Sequence, residues 1–260
     1  PQYQTITMLS NPLGNSTYNA LQLRLQKRYS SGISLLISYT LSKNLTDADG
    51  EGGGSFLGSA QDYYNLRLEK AVSAADVPQA FVAAYSYDLP FGDSKPIRTG
   101  KRLVDKYVIG GWTTSGIVSV QSGTPLGINT ELSLPAIGPV RPNVVSSQIY
   151  LNNDRSTFDP ARNLYLNSAA FTAPAPFSFG NAPRLFSQVR SFGTKQWDAV
   201  LQKVIPIRES LRFSLKAEFF NLPNVVNWGP PATDINSPSF GQITSASSAR
   251  TGQISGTLSW

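Results

Sequence analysis

Arg212, Ser214, Lys216 and Glu218 occupy alternate positions, so an extended chain puts all four on one face. Arg24 and Arg28 share a face in the same way near the start of the chain. Such rows could meet a passing solute or a second domain, or pair across neighbouring strands. They are not expected to be catalytic. The chain has no His and no Cys, which excludes Ser-His-Asp triads, imidazole ligands, thiolate metal sites and disulfides. Gly50-Glu51-Gly52-Gly53-Gly54 has the look of a phosphate loop but lacks the following Lys-Ser/Thr and a helix, and so reads as a loop tip. Asp47, Asp49 and Glu51 could offer carboxylate oxygens to Ca²⁺, but their spacing is not that of an EF-hand, and a solvated acidic loop is the plainer reading. No carboxylate pair sits in a setting that suggests glycoside chemistry. An enzyme, a cofactor and a bound metal are therefore not expected.

The elements that carry these rows are read from hydrophobic period. In residues 17–30, Leu21, Leu23, Leu25 and Tyr29 alternate with Gln22, Arg24, Gln26 and Arg28. A helix would scatter these residues around its circumference, whereas a strand separates them into two faces. After Ser30-Ser31-Gly32, residues 33–45 place Ile33, Leu35, Ile37, Tyr39 and Leu41 opposite Ser34, Ser38, Thr40 and Ser42, with Leu36 as the exception. Together they form a hairpin with one apolar and one polar face. Residues 80–89, 111–122 and 196–205 repeat the pattern. Residues 211–220 show it best: Leu211, Phe213, Leu215, Ala217 and Phe219 face away from Arg212, Ser214, Lys216 and Glu218. In residues 251–260, Ile254, Leu258 and Trp260 alternate with Gln253, Ser255, Thr257 and Ser259, and residues 3–9 add one further candidate strand. Trp112, Tyr85, Tyr87, Tyr39, Trp197 and Trp260 would suit aromatic girdles.

The connections alternate in length. Short turns at 30–32 and 208–210 and a medium one at 90–109 contrast with long segments at 44–79, 123–194 and 221–250. Loops of that size would argue against the strands in a soluble domain. They are expected in an outer-membrane barrel, which has short periplasmic turns and long extracellular loops.

Composition agrees with a thin, two-sided sheet. Only 15% of the residues are charged, 11% are aromatic, and the net charge is +6 with no long basic run, so nucleic acid is not an expected partner. No stretch reads as a transmembrane helix or a signal peptide. Lipid offers no hydrogen-bond partners, so only helices or closed sheets cross it. The same alternation also suits a soluble antiparallel sandwich, in which loop aromatics such as Trp228 and Phe240 could bind carbohydrate. The pattern alone leaves both architectures open.

Short motifs favour the membrane. Gly14-Asn15-Ser16-Thr17-Tyr18-Asn19-Ala20-Leu21-Gln22-Leu23, followed by Ser38-Tyr39-Thr40-Leu41-Ser42-Lys43, resembles the barrel of Oar-like TonB-dependent receptors. Asp88-Leu89-Pro90-Phe91-Gly92, Gly110-Gly111-Trp112, Ser122-Gly123-Thr124-Pro125, Arg141-Pro142-Asn143, Ala217-Glu218-Phe219-Phe220-Asn221 and Phe240-Gly241-Gln242-Ile243 continue the resemblance in family order along nearly the whole chain. Leu222-Pro223-Asn224 departs from the Leu-Phe-Asn-like continuation of the family, a difference confined to a loop.

The resemblance implies an all-β, antiparallel transmembrane β-barrel in the bacterial outer membrane. This chain would be a C-terminal segment of about 7–8 strands with long extracellular loops, taken from a barrel of roughly 22. It implies active ligand uptake by a protein whose plug, TonB-contacting segment and earlier strands are not in this piece. Outer-membrane lipid, the plug domain, the TonB complex and the barrel-assembly machinery would be the partners. Arg24, Arg28, Arg212, Lys216 and Glu218 would face the lumen, and Leu21, Leu23, Leu25, Phe213, Leu215 and Phe219 the lipid. Leu258 and Trp260 would form the C-terminal assembly signal. A small closed barrel acting as a pore or adhesin is the alternative.

Overall fold

The computed structural model describes residues 14–48, 60–93, 95–134, 138–208 and 211–260. Seven long strands run through it: β1 (Ser16–Ser30), β2 (Ile33–Thr46), β3 (Gln79–Asp88), β4 (Trp112–Gln121), β5 (Thr194–Pro206), β6 (Arg212–Phe220) and β7 (Thr251–Ser259). They pair in chain order, each antiparallel to the next, and Ala71–Val72 adds a short eighth piece beside the end of β2. These limits differ from those read off the alternation by at most two residues. The expected strand at 3–9, the glycine run at 50–54, Asp49 and Glu51 lie outside the described residues. No helix among the described residues is long and apolar enough to cross a membrane.

Local chemistry explains the first hairpin. Ser31 and Gly32 both adopt positive φ, 55° and 79°, as a two-residue turn requires if its twist is to match the strands. The register shifts between Lys27 and Ser30, so β1 carries a bulge there. The bulge corrects the expectation for Tyr29. Strict alternation puts it in the apolar row, but its hydroxyl donates to the Asp88 carboxylate, on the face that carries Ser34 and Ser86.

The sheet is open. Among the described residues β1 pairs only with β2 and β7 only with β6, and every residue of both edge strands is solvent-exposed. A soluble sandwich would bury the apolar face under a second layer. Instead Leu21 is 53% and Leu258 50% exposed. The other described sheets are two-residue pairs, Ser133–Leu134 with Gly138–Pro139 and Asn143–Val144 with Phe171–Thr172.

The buried core lies in the connections. Residues 122–193 and 221–250, expected as irregular loops, pack Leu126, Ile128, Phe158, Tyr165, Leu166, Phe171, Phe192, Phe240 and Ile243 into one cluster. Segment 60–76 adds a 3₁₀ turn, Leu66–Glu69, and the medium turn after β3 carries a helical stretch, Arg102–Val104 continuing through Asp105–Ile109. Long connections survive here because they bury apolar side chains of their own.

Candidate functional site: a two-faced wall under a loop cap

The strand register aligns the alternating residues into rows that cross the sheet. One row runs Leu23, Tyr39, Phe81, Val120 and Lys195; the next runs Leu25, Ile37, Ala83, Val118 and Trp197. Further along come Lys27, Leu35, Tyr85, Gly116, Ala199 and Phe219, then Tyr87, Thr114, Leu201, Ala217 and Ile254. Trp112, Lys203 and Leu215 form the next row, and Ile205, Phe213 and Leu258 the last. Leu21, Leu23, Leu25, Phe213, Leu215 and Phe219 therefore share one continuous face over all seven long strands.

Gly116 is the narrow point of that face. A Cβ there would sit 2.8 Å from the Tyr85 hydroxyl oxygen and 2.5 Å from the Asp198 carbonyl oxygen. Its absence lets Tyr85 lie close to the strand, where the Trp197 indole N–H donates to its hydroxyl at 3.2 Å. This pair sits in mid-sheet, so it does not belong to a rim girdle. Trp112, the first residue of β4, stands at the short-turn end.

The opposite face is polar and carries Arg24, Ser38, Ser119 and Gln196 in one row and Ser86, Ser115, Glu218 and Gln253 in another. Arg24 donates to Gln26 at 3.3 Å, and the Gln253 amide donates to the Glu218 carboxylate. Arg28, at the bulge, borders a groove of about 440 Å³ with Gln26, Ser34, Leu36 and Ser86. The two charge rows are not brought together. Arg24 and Arg28 lie on β1, and Arg212, Lys216 and Glu218 on β6, five strands away, or roughly 24 Å along a sheet of ordinary spacing. Leu36, Val82 and Ile117 make this face less uniformly polar than the alternation suggests.

Along β5, exposure runs opposite to that of a strand in a water-soluble sheet. On β5, Trp197 and Leu201 are 37% and 38% exposed, whereas Gln196, Asp198 and Gln202 on the other face are half-buried. On β5 the apolar side is the more open one, whereas Val82 and Ile117, on the polar face of β3 and β4, are also exposed.

Beyond the far ends of β2 and β5, arginines fasten the cap. Arg141 pairs with Glu69 at 2.7 Å, and Glu69 in turn accepts from the Gln61 backbone N–H at 3.0 Å. Arg184 reaches the Glu69 and Thr46 carbonyls at 3.0 and 2.8 Å. Arg190 pairs with the buried Asp76 carboxylate and donates to the Gly123 carbonyl at 3.1 Å. Arg155 donates to the Val226 carbonyl at 2.8 Å and stands over the Phe192 ring. Buried charges need such pairing to be tolerated, although the Arg141 Nε is buried without a hydrogen-bond partner. Burial also pushes the Tyr150 and Tyr165 phenols above the ordinary tyrosine pKa, so both stay protonated as donors within the cap.

This machinery was missed at the sequence level, where only the motifs marked its places. Arg141 begins Arg141-Pro142-Asn143, and Phe240 and Ile243, which bound another motif, are both buried in the cap core. Phe240 and the partly buried Trp228 pack inward and offer no platform for carbohydrate. Asp47 accepts from the Asn15 side-chain amide at 3.1 Å, and no cluster of groups suited to a metal ion occurs among the described residues.

Residues 1–253 match a known family described as an outer membrane beta barrel domain. A search of curated proteins and a search of solved structures gave no match. A sheet whose apolar face is left without a second layer is what such a domain requires. The chain belongs to the family of outer membrane beta barrel domains, which reside in the bacterial outer membrane.

Proposed function

We propose that this chain forms the C-terminal part of the barrel of an Oar-like TonB-dependent receptor, which takes up a scarce ligand with energy delivered through the TonB complex. In this reading the apolar rows meet acyl chains, and the face with Arg24, Arg28, Arg212, Lys216 and Glu218 looks into the lumen, toward the plug. The cap stands on the extracellular side and holds ligand-contacting surfaces over the lumen. Thr257-Leu258-Ser259-Trp260, with its alternating apolar residues and final aromatic, would be read by the barrel-assembly machinery.

The observation that carries this reading is the open sheet. Its two-faced rows continue to both edges, where β1 and β7 have no second partner among the described residues. Unpaired edges are costly in lipid, so further strands of a larger barrel would satisfy them. The ordered motifs along the chain support the receptor family in particular.

Two measurements test the reading. The DNA upstream of Pro1 is expected to encode further strands and a plug in frame. A signal peptide joined directly to this segment would overturn the proposal. In planar bilayers the isolated chain is expected to give no uniform channel, whereas a stable open pore would favour a small closed barrel.

A further inference from the structure

The helical stretch between β3 and β4 is more than a connection. Residues 93–109 contain Lys95, Arg98, Lys101, Arg102 and Lys106 against Asp93 and Asp105. Among the described residues none of these five cations makes an ion pair. Asp105 is turned inward, accepting from the Thr99 and Gly100 backbone N–H groups at 2.7 and 3.0 Å, which leaves the outer surface cationic. Ile97, Leu103 and Val108 are exposed beside these cations, Leu103 by 73% and Val108 by 60%. The wall holds the end of the stretch nearest β4. Lys203 donates to the Val108 and Gly110 carbonyls at 2.9 and 2.6 Å, and the Trp112 indole donates to Val108 at 3.2 Å.

The position of those donors decides which side the stretch occupies. Trp112 and Lys203 share a row with Leu215 on the apolar face. The helical stretch therefore hangs at the short-turn end on the side of the apolar wall, away from the polar face. The other end of the sheet differs in kind: Arg141, Arg155, Arg184 and Arg190 are spent on partners inside the cap. Lys27, Arg28 and Arg208 add to the cationic surplus near the short turns.

We infer that residues 93–109 form an interfacial anchor for anionic phospholipid headgroups in the leaflet at the short-turn end. Leu103, Val108 and Ile97 enter the headgroup–acyl boundary, while Lys101, Arg102 and Lys106 lie level with the phosphates. Short amphipathic segments of this kind bind weakly alone, but here the wall supplies the tether, and each cation near an anionic surface adds to the hold. The anchor needs only the membrane wall and does not depend on the transport proposal.

The absence of native cysteine allows a unique label at Leu103→Cys. The full 260-residue chain, carrying an environment-sensitive fluorophore there, is reconstituted in vesicles of phosphatidylcholine alone or with phosphatidylglycerol. Because both leaflets then have one composition, the direction of insertion does not matter. The expected result is blue-shifted emission, with quenching by headgroup-proximal brominated lipid about twofold stronger in the anionic vesicles. High salt, or combined Lys101→Gln, Arg102→Gln and Lys106→Gln with unchanged β circular dichroism, should remove that increment. A label in water in both vesicle types would overturn the inference. So would quenching that is indifferent to phosphatidylglycerol, or an increment that survives both high salt and the triple substitution.

Discussion

The Nζ of Lys203 lies 4.9 Å from the centroid of the Trp112 ring, directly across the strand pair. A lysine in an apolar row is tolerated here because its stem packs in the row while its head reaches two carbonyls at the strand end. Lys203→Met keeps the stem but removes the donors. Val108 retains the Trp112 indole, whereas Gly110 loses a buried partner. The substitution should cost about 1–3 kcal/mol, and trypsin should then cut faster after Lys101 and Arg102. Unchanged denaturation midpoint and unchanged cleavage rate would show that Lys203 does not hold the turn.

Depth within the wall should grade the cost of charge. Leu201 lies in a middle row with Tyr87 and Ala217, whereas Leu215 shares the row of Trp112 and Lys203 at the short-turn end. Leu201→Arg should cost about 2–4 kcal/mol in a lipid refolding titration, and Leu215→Arg less, because the penalty falls toward the interface. Lys216→Gln, on the polar face, should be mild. Equal costs on both faces would argue that the apolar rows do not meet lipid.

The strands were legible because period two is a local signal: each of Leu21, Leu23 and Leu25 announces the face of its neighbours. Tyr29 was not, since a bulge is set by pairing with β2 and leaves the alternation of β1 intact on paper. The cap was invisible for a different reason. Leu126 and Ile128 meet Phe240 and Ile243 across more than a hundred residues, with no period to mark the pairing. Its arginines looked like scattered surface charge, because nothing near Arg190 in the sequence points to Asp76. Each charge row follows from local alternation, but the separation of the two on β1 and β6 follows from strand order, which only pairing reveals.

Arg190 and Asp76 make a local clasp whose loss should stay local. The Asp76 carboxylate also accepts from the Asn44 backbone N–H at 2.6 Å, tying the end of β2 to the cap. Arg190→Met leaves that buried carboxylate short of its cation, a change that typically costs about 3–5 kcal/mol. Hydrogen exchange should accelerate around residues 123–126 and 186–192, with β6 and all but the first residues of β5 largely unaffected. Uniform acceleration through the wall would mean that cap and wall unfold as one unit.

Acid should loosen the interfacial stretch before the wall. The Thr99 backbone N–H, then the Thr99 hydroxyl and the Gly100 N–H, hold the Asp105 carboxylate below the ordinary carboxylate pKa, against the opposing effect of burial. Because the folded group is the stronger acid, its contribution is complete above the unfolded pKa and disappears as pH falls through the folded one. Emission from a label at Leu103→Cys in zwitterionic vesicles should therefore stay constant near neutrality and change only in the acid range, below about pH 4. Asp105→Asn should abolish that step and leave the label already shifted at neutral pH, because the neutral amide accepts the three hydrogen bonds more weakly. An acid step of undiminished size in the variant would remove Asp105 from its role in shaping the turn.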